Sequence, residues 1–422
     1  MELLNAPARD QAVRDQRRAL GWSGLAWVLF VIVVLIWPAA LWRGYLVAFN
    51  FWLGVALGSL VLIWLHQLVG GGWGWVIRPV QAAASSTIPF FVLAALPLAL
   101  GLHALYPWTS SEFATTAKGA QKSLYLNEPF FLGRSLAYFA IWLVLGWLTT
   151  RWIEQEDRSG DARAAGRLRT IAGPGIVLYG LTITLAGVDW LMSLQPDWFS
   201  TIFSVVFSVG QILAASAFAV VGAIWLMRLR RVPREVSVAE AELKPAIEAT
   251  NLFLRDLGNL LLLFVMFWAY VSFSQFLLIW SGNLPEEIRW YLPRTQGVWK
   301  FVAIGLALGQ FGLPFLLLLS REIKRRPAAL VSVAALLLFT HWVDLAWQIL
   351  PAFPAASWRD AAADVAAAAT STVGLGGLWL WAWLRRLRTL PLASPPDGAI
   401  DRAAIEQAAA DESWKTDGGS HG

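Results

Sequence analysis

The sequence predicts an all-α polytopic membrane protein with ten transmembrane helices. Hydrophobic residues make up 57% of the 422-residue chain and charged residues 14%, whereas soluble domains are nearer half apolar and a quarter charged. Ten apolar stretches are each about 20 residues long, the length that a helix needs to cross a bilayer. The 26 Trp residues suit rings anchored at lipid head groups. Little of the chain remains for a water-soluble catalytic domain.

The ten stretches are apolar on every face, whereas the strands of a membrane β-barrel alternate between apolar and polar residues. Helices also satisfy their backbone groups internally, which hydrocarbon requires. The first stretch is too long for a signal-peptide core, and we expect it to be retained. The predicted spans are 22–42, 45–69, 80–105, 131–150, 171–194, 202–227, 257–280, 298–319, 328–350 and 363–384.

The distribution of Lys and Arg predicts the orientation. The segments on one side of the spans contain 25 of these residues and the segments on the other side contain seven. Because basic loops stay in the cytoplasm, we expect both termini, 1–20 and 385–422, to be cytoplasmic. The inner segment 228–256 is typical of a surface amphipathic helix, and the tail is typical of disorder.

The chain contains a candidate internal repeat. Asp189 precedes Pro196 by seven residues, and Asp344 precedes Pro351 by the same number. The shift of 155 residues lays spans two to five on spans six to nine, with a basic residue, Arg134 or Lys300, at the outer start of each third helix. We therefore expect two parallel-repeat four-helix bundles, 45–197 and 200–351, with the first and tenth helices peripheral.

Asp189 and Asp344 are the strongest candidate functional residues. A carboxylate at the centre of a membrane helix costs about 2.5 to 3.5 kcal/mol, so each acid needs a partner or a function. His341 lies one turn before Asp344, and Thr182 lies two turns before Asp189. One interpretation is a proton-carrying acid in each bundle; the other is an acid bonded to a neighbouring helix or to water.

Hydroxyl and amide side chains interrupt the apolar seventh span. They can relay protons or bind a quinone carbonyl, and they can equally hold helices together. Gln211 and Gln310 raise the same alternatives, and Arg134 could pair with Asp189 or Glu128 or extend to the interface. The polar residues of the seventh span are Tyr270, Ser272, Ser274 and Gln275.

Two long outer loops, 106–130 and 281–297, predict a docking face for partner proteins. The candidate docking residues are Glu128, Arg134, Glu286, Glu287 and Arg289. The absence of Cys from the sequence excludes thiolate-held iron–sulfur clusters and covalently attached c-type haem in this chain. A haem between His103 and His341 remains an alternative, but we expect no cofactor and no metal here.

Four stretches resemble one family. They are GVDWLMSLQPDWFSTIFS (187–204), FWAYVSFSQFLLIWSGNLPEEIRWYLPR (267–294), LPFLLLLSREIKRRP (313–327) and HWVDLAWQILP (341–351). They are similar to the ActF family, the second large membrane subunits of alternative complex III, within the NrfD/PsrC-like group. Alternative complex III is a bacterial quinol:cytochrome c oxidoreductase. The resemblance is strong over about 170–351 and rests mainly on topology before that.

The resemblance implies a bacterial inner-membrane subunit of a respiratory electron-transport chain, without a cofactor of its own. Its implied partners are a sister NrfD-like membrane subunit, an iron–sulfur subunit, and multihaem and monohaem cytochrome c subunits, which hold the clusters and haems. Proton routes through the bundle interiors are implied at Asp189, Tyr270, Ser272, Ser274, Gln275, His341 and Asp344.

Two alternatives remain open. A stand-alone proton-coupled secondary transporter would suit parallel repeats with membrane acids, but it predicts interrupted helices at matching positions. Pro174 and Pro314 do not match under the 155-residue shift. A purely structural assembly subunit is the second alternative, and only mutagenesis would separate it from a proton-conducting one.

Overall fold

The computed structural model describes residues 6–230 and 240–390. Within these ranges the regular structure is entirely helical. Nine described segments are long and apolar enough to cross a membrane, and a bent pair makes ten if it crosses as one span. The prediction of an all-α polytopic membrane protein is therefore confirmed.

Within the described ranges, twelve helices contain seven or more residues. They are α1 (Ala6–Ile36), α2 (Ala40–Val69), α3 (Trp73–Ser85), α4 (Ile88–Leu100), α5 (Glu128–Ser159), α6 (Ala162–Trp190), α7 (Phe203–Arg230), α8 (Glu240–Gly282), α9 (Gly297–Leu306), α10 (Leu313–Leu319), α11 (Pro327–Ile349) and α12 (Trp358–Thr389). The connections contain shorter turns: Leu102–Leu105, Pro107–Thr109, Ser111–Ala114, Ala117–Lys122, Met192–Leu194, Pro285–Ile288, Leu292–Arg294, Arg321–Arg325 and Leu350–Ala352.

Several helices extend beyond their predicted spans, because hydropathy marks only the apolar part of a helix. α1 begins at Ala6, and α2 begins at Ala40 after a short turn. The prediction of a separate surface helix over 228–256 is wrong for residues 240–256, because these residues continue without a break into α8. Residues 231–239 and the predicted disordered tail from 391 lie outside the described residues.

Local sequence signals explain where helices begin and end. The Asn127 side chain accepts a hydrogen bond from the Phe130 N–H at 3.0 Å and caps the start of α5. Gly160 ends α5 with a φ of 63°, in the left-handed region that favours glycine. The Asp161 side chain then caps α6 by accepting from the Arg163 N–H at 2.9 Å.

The third span is a bent pair, since α3 and α4 meet at 42°. The hydroxyl groups of Ser85, Ser86 and Thr87 donate to the carbonyls of the preceding turn at 2.6 to 3.2 Å. Such bonds compete with the helix ladder. Pro89 also lacks the N–H that would continue it.

The eighth span contains a wider turn, a π-helical segment at Ala307–Gly312 between α9 and α10. Pro314 explains it, because its ring cannot donate to the Gln310 carbonyl and would clash with that carbonyl in a regular helix. In the predicted repeat, the π-helical segment lies in the third span of the second half, 200–351. The bent pair is the second span of the first half, 45–197. The two irregular spans therefore do not correspond.

α2 lies at the centre of the packing and contacts α6, α7, α11 and α12. α12 packs against both α1 and α2. Its Trp379 is fully buried and donates to Thr87 Oγ1 at 2.7 Å. α12 therefore contacts the central helix, and its position outside the two predicted bundles stays a prediction. Most of the apolar part of α1 is exposed. The superposition of the two predicted bundles stays a prediction.

Candidate functional site

A cavity of about 600 Å³ lies in the second half, between α8, α9 and α11. It exists because α8 packs against α10 and the π-helical segment, while α9 packs against α11. The loop residues Trp290, Tyr291 and Thr295 line it near the 282–297 connection. Its volume is within the range of small-molecule binding sites in proteins.

The cavity walls are apolar and aromatic, with a few polar groups placed among them. Ser272 and Gln275 of α8, Tyr291 of the loop, and Asp344 and Gln348 of α11 line the cavity. Among the residues that the structure describes, Ser272 Oγ, Gln275 Oε1 and Gln348 Oε1 are buried atoms without a hydrogen-bond partner. Buried polar groups usually have a partner, so the unpaired atoms favour a polar ligand.

Tyr291 supplies a hydroxyl group at the same place. Its Oη accepts a hydrogen bond from Gln275 Nε2 at 3.3 Å. Burial raises the pKa of Tyr291 to about 12, so the hydroxyl group stays protonated at neutral pH. The phenol can therefore donate a hydrogen bond into the cavity.

Asp344 is buried, with only 3% of its surface exposed. Gln348 Nε2 donates to Asp344 Oδ2 at 2.9 Å. Within the described part of the chain, no salt bridge joins Asp344 to a cation. An acid without a counter-ion at the wall of an apolar cavity can exchange a proton with a group that enters the cavity.

Asp189, its predicted counterpart, is fully buried in a different environment. The Arg134 guanidinium donates from Nε and Nη2 to its two carboxylate oxygens at 2.9 and 2.8 Å. Tyr138 Oη donates to Oδ2 at 2.7 Å. Of the two interpretations of this acid, the structure shows the one bonded to a neighbouring helix. The three hydrogen bonds leave Asp189 little freedom to carry protons.

Arg294 is a site residue that the sequence interpretation missed. It is 1% exposed and donates to the carbonyls of Trp347 at 3.2 Å and Gln348 at 2.5 Å, at the end of α11. It also donates to Gln195 Oε1 at 3.0 Å. Arg294 thereby fixes the end of the helix that carries Asp344.

The guanidinium groups of Arg134 and Arg294 have similar contacts. Arg134 lies 3.8 Å from the Tyr125 ring centroid, and Arg294 lies 3.8 Å from the Trp290 ring centroid. Each guanidinium also donates to the carbonyl of the residue that it stacks on. Lys300, which the repeat pairs with Arg134, is exposed. The contacts of Arg294 are more like those of Arg134, and Arg294 precedes Asp344 by 50 residues, close to the 55 residues between Arg134 and Asp189.

The other predicted proton-path residues do not form one group. Tyr270 is 69% exposed at the rim of the cavity, and Ser274 is not among its lining residues. Thr182 accepts a hydrogen bond from Trp142 Nε1 at 2.8 Å in the first half, away from the cavity. His341 is 1% exposed and packs against Phe51, with a ring-centroid distance of 5.8 Å.

Buried polar side chains continue from Asp344 along the α2–α7 interface. His341 lies against Gly210, beside Gln211, which packs on Gly54 and Gly58. Gln81 Nε2 donates to the Ala215 carbonyl at 3.3 Å, one turn after Gln211. One turn before Gln81, Arg78 pairs with Glu156 at 2.5 Å and Asp157 at 3.0 Å.

Several members of this row have spare hydrogen-bonding capacity. Among described residues, both His341 ring nitrogens, Gln211 Nε2 and Gln81 Oε1 are buried and unpaired. The sequence interpretation noted Gln211 only as an ambiguous polar residue and missed Gln81 and Arg78. Residues from α3, α7 and α11 are distant in the sequence, so only the fold could align them.

The predicted docking residues have different environments. Glu128 lies 3.6 Å from exposed His103, whereas Arg134 contacts buried Asp189. Exposed Arg289 lies 3.8 Å from Asp197, which Lys118 of the other long loop approaches at 3.7 Å.

The two remaining docking candidates lie on one short turn. Glu286 is exposed, and the Glu287 carbonyl accepts from Trp198 Nε1 at 3.0 Å. The two long loops thus meet around residues 197–198 and form one surface.

The chain matches no protein-family model and no curated protein.

Proposed function

We propose that this chain is a membrane subunit of a quinol:cytochrome c oxidoreductase of the alternative complex III type. It carries no redox centre, supports its sister membrane subunit, and conducts protons through its second half. Its long loops contact the iron–sulfur and cytochrome c subunits on the outer face of a bacterial inner membrane. Both termini are cytoplasmic.

One observation carries the proposal. The two most distinctive of the resembling strings, 267–294 and 341–351, supply most of the residues that line the cavity. Because these strings line a cavity that contains a buried acid, the resemblance favours a shared function.

The proton role is based on the contrast between the two acids. Asp189 is held by Arg134 and Tyr138, whereas Asp344 accepts a hydrogen bond from the neutral amide group of Gln348. We assign the proton-carrying role to Asp344 and withdraw it from Asp189. The row from His341 through Gln211 and Gln81 to Arg78 supplies a route across the interior. Transfer between its members requires bridging water molecules.

Affinity purification from native membranes tests the complex. We expect the chain to co-purify with an iron–sulfur subunit, multihaem and monohaem cytochromes c, and a second NrfD-like membrane subunit. Haem absorbance and mass spectrometry measure this directly. A protein that purifies alone, without haem, would contradict the proposed assembly.

Asp344→Asn tests the proton role. We expect the variant complex to assemble and the rate of proton transfer to fall by about tenfold or more, as for loss of a positioned proton-transfer group. Proton release during quinol oxidation by the complex in proteoliposomes measures the effect.

Asp364→Asn is the matched control, because Asp364 is another buried acid but lies 3.2 Å from Arg43. It should leave proton release unchanged. Unaltered proton release in Asp344→Asn would contradict the proton-carrying role of Asp344. The proposed structural role of the chain in the complex would then remain.

The transporter alternative is not favoured by the structure. It requires interrupted helices at matching positions, and the bent pair and the π-helical segment do not correspond. Purification of the chain alone would be its supporting result.

A further inference from the structure

We propose that the short connection between α10 and α11, together with the facing surface of α8, binds the phosphate group of an anionic phospholipid. The site is on the predicted cytoplasmic side, so the lipid belongs to the inner leaflet. The proposal goes beyond the proposed function, because it requires neither the partner subunits nor proton transfer.

The centre of the site is Lys324, a buried lysine. Only 6% of its surface is exposed, although lysine is almost never buried without a charged partner. The stem of Lys324 lies against Gly258 of α8, where a Cβ would overlap it. Its ammonium group donates to Asn259 Oδ1 at 2.7 Å. The fold therefore fixes the position of this side chain, whereas a lysine that only adds charge to a loop would be solvated.

The local backbone explains how Lys324 reaches α8. The Ser320 side chain accepts a hydrogen bond from the Ile323 N–H and caps the short turn Arg321–Arg325. This turn packs against both α8 and α11. The missing side chain of Gly258 gives the room for that close approach.

Like charges surround the Lys324 ammonium group. Burial lowers the pKa of Lys324, and the charges of Arg255 and Arg321 lower it further. An ammonium group has three N–H donors, and Asn259 accepts from it here. A bound anion would accept hydrogen bonds from the remaining donors and would offset the repulsion between the three cations.

The neighbouring carboxylates do not neutralise Lys324. Asp256 lies 3.9 Å from Arg255. Glu322 pairs with Arg326 at the exposed side of the turn. Within the part of the chain that the structure describes, no carboxylate forms a salt bridge with Lys324. An anion from outside the chain would supply the missing charge.

The surface next to these cations is apolar, which favours a lipid over a soluble anion. Leu263, one turn after Asn259 in α8, is exposed, and so are Leu316 and Leu319 of α10. An acyl chain can lie along these leucines while the phosphate group reaches Lys324. Basic pockets between membrane helices on the cytoplasmic side are typical binding sites for anionic head groups.

Native mass spectrometry of the full chain tests the proposal. The chain is purified in a neutral maltoside detergent and titrated with dioleoylphosphatidylglycerol. We expect one lipid to bind more tightly than all others. Dioleoylphosphatidylcholine has the same acyl chains but a cationic choline group, and it should bind about tenfold more weakly or less. Inorganic phosphate in excess should not displace the tightly bound lipid.

Three variants define the site. Lys324→Met keeps a stem beside Gly258 but removes the charge, and it should weaken binding of the tightest lipid by about tenfold. Arg321→Gln replaces an exposed residue, so it gives the same test without a buried substitution, with an expected loss of about fivefold. Arg326→Gln is the matched control, because it removes a charge of the same segment that pairs with Glu322. Its effect should stay within about twofold.

Each contrary outcome overturns a defined part of the proposal. Equal losses in Lys324→Met and Arg326→Gln would show a general attraction to a basic surface and no site. Equal binding of the two lipids would show that the phosphate charge is not recognised. Displacement by inorganic phosphate would replace the lipid with a soluble anion. The proposed function is tested separately by co-purification and proton release, so its failure would leave these lipid measurements unchanged.

Discussion

The two buried acids are satisfied in opposite ways by their neighbours. Asp189 accepts hydrogen bonds from a guanidinium and a phenol, so its charge is neutralised within the fold. Asp344 is bonded to a neutral amide and lies at a cavity wall. Removing the partner of a buried charge costs more than removing both members of the pair.

Arg134→Gln should therefore destabilise the protein by about 3 to 5 kcal/mol, because the buried Asp189 carboxylate would lose its counter-ion. The double variant Arg134→Gln/Asp189→Asn should recover most of this loss. Thermal or denaturant unfolding in detergent measures the difference.

Arg359→Gln is a suitable control for this series, since Arg359 is exposed and its loss should stay within about 0.5 kcal/mol. A single variant Arg134→Gln as stable as the parent would show that the Asp189 pair contributes nothing.

The sequence predicted residue roles only in part. It identified both acids and offered Arg134 as one possible partner of Asp189, because a charge within a span needs a partner. It missed Arg294, which lies in a loop, where an arginine is ordinarily exposed. The burial of Arg294 depends on the end of α11 and on Gln195, which are distant in the sequence.

At the scale of helices, close contact between α2 and α7 joins the two halves. A Cβ at Gly58 would lie 2.5 Å from the Gln211 carbonyl oxygen, and one at Gly54 would lie 2.9 Å from the Gln211 side chain. The motif Gly54-x-x-x-Gly58 thus serves helix contact. The sequence has a second motif of this kind, Gly305-x-x-x-Gly309, which begins in α9, and Gly305 has open space around it.

Gly58→Ala should cost about 1 to 3 kcal/mol, because a backbone atom must move to admit the methyl group. Gly305→Ala should be neutral or stabilise by up to about 1 kcal/mol through helix propensity. Unfolding midpoints of the two purified variants give the comparison. Equal effects of the two substitutions on stability would contradict the close approach of α2 and α7 at Gly58.

The positions of the helices were predictable from the sequence, whereas their bends, wider turns and extensions were not. Apolar stretches of about 20 residues identified the nine described helices that can cross a membrane and the bent pair, because hydrocarbon imposes that length. The bend at Ser86 and the π-helical segment before Pro314 depend on local hydrogen bonds. The continuation of α8 into a polar segment depends on helix ladder bonds that hydropathy does not measure.

At the scale of the whole molecule, the cavity is a product of the packing. α8 and α9 diverge because each follows a different neighbour, and no single stretch of sequence encodes that divergence. The predicted orientation is a second global property, based on the bias of basic residues between the two sides.

The absence of Cys from the sequence makes the orientation directly testable. Ser281 and Ser159 are exposed at opposite predicted sides. A membrane-impermeant maleimide should label Ser281→Cys in intact cells with a permeable outer membrane, and should label Ser159→Cys only after the inner membrane is disrupted. The reverse pattern would invert the predicted topology.

The packing of α12 on α1 and α2 has a consequence for biosynthesis. Trp52 Nε1 of α2 donates to the Thr372 carbonyl at 2.8 Å, and Ser371 Oγ of α12 donates to the Gly44 carbonyl at 3.0 Å. Because α2 leaves the ribosome long before α12, the face of α2 that α12 covers is exposed to lipid until nearly all of the chain has been translated. A ribosome that stops before α12 would release a product with that face open, which is the kind of surface that membrane quality-control proteases recognise.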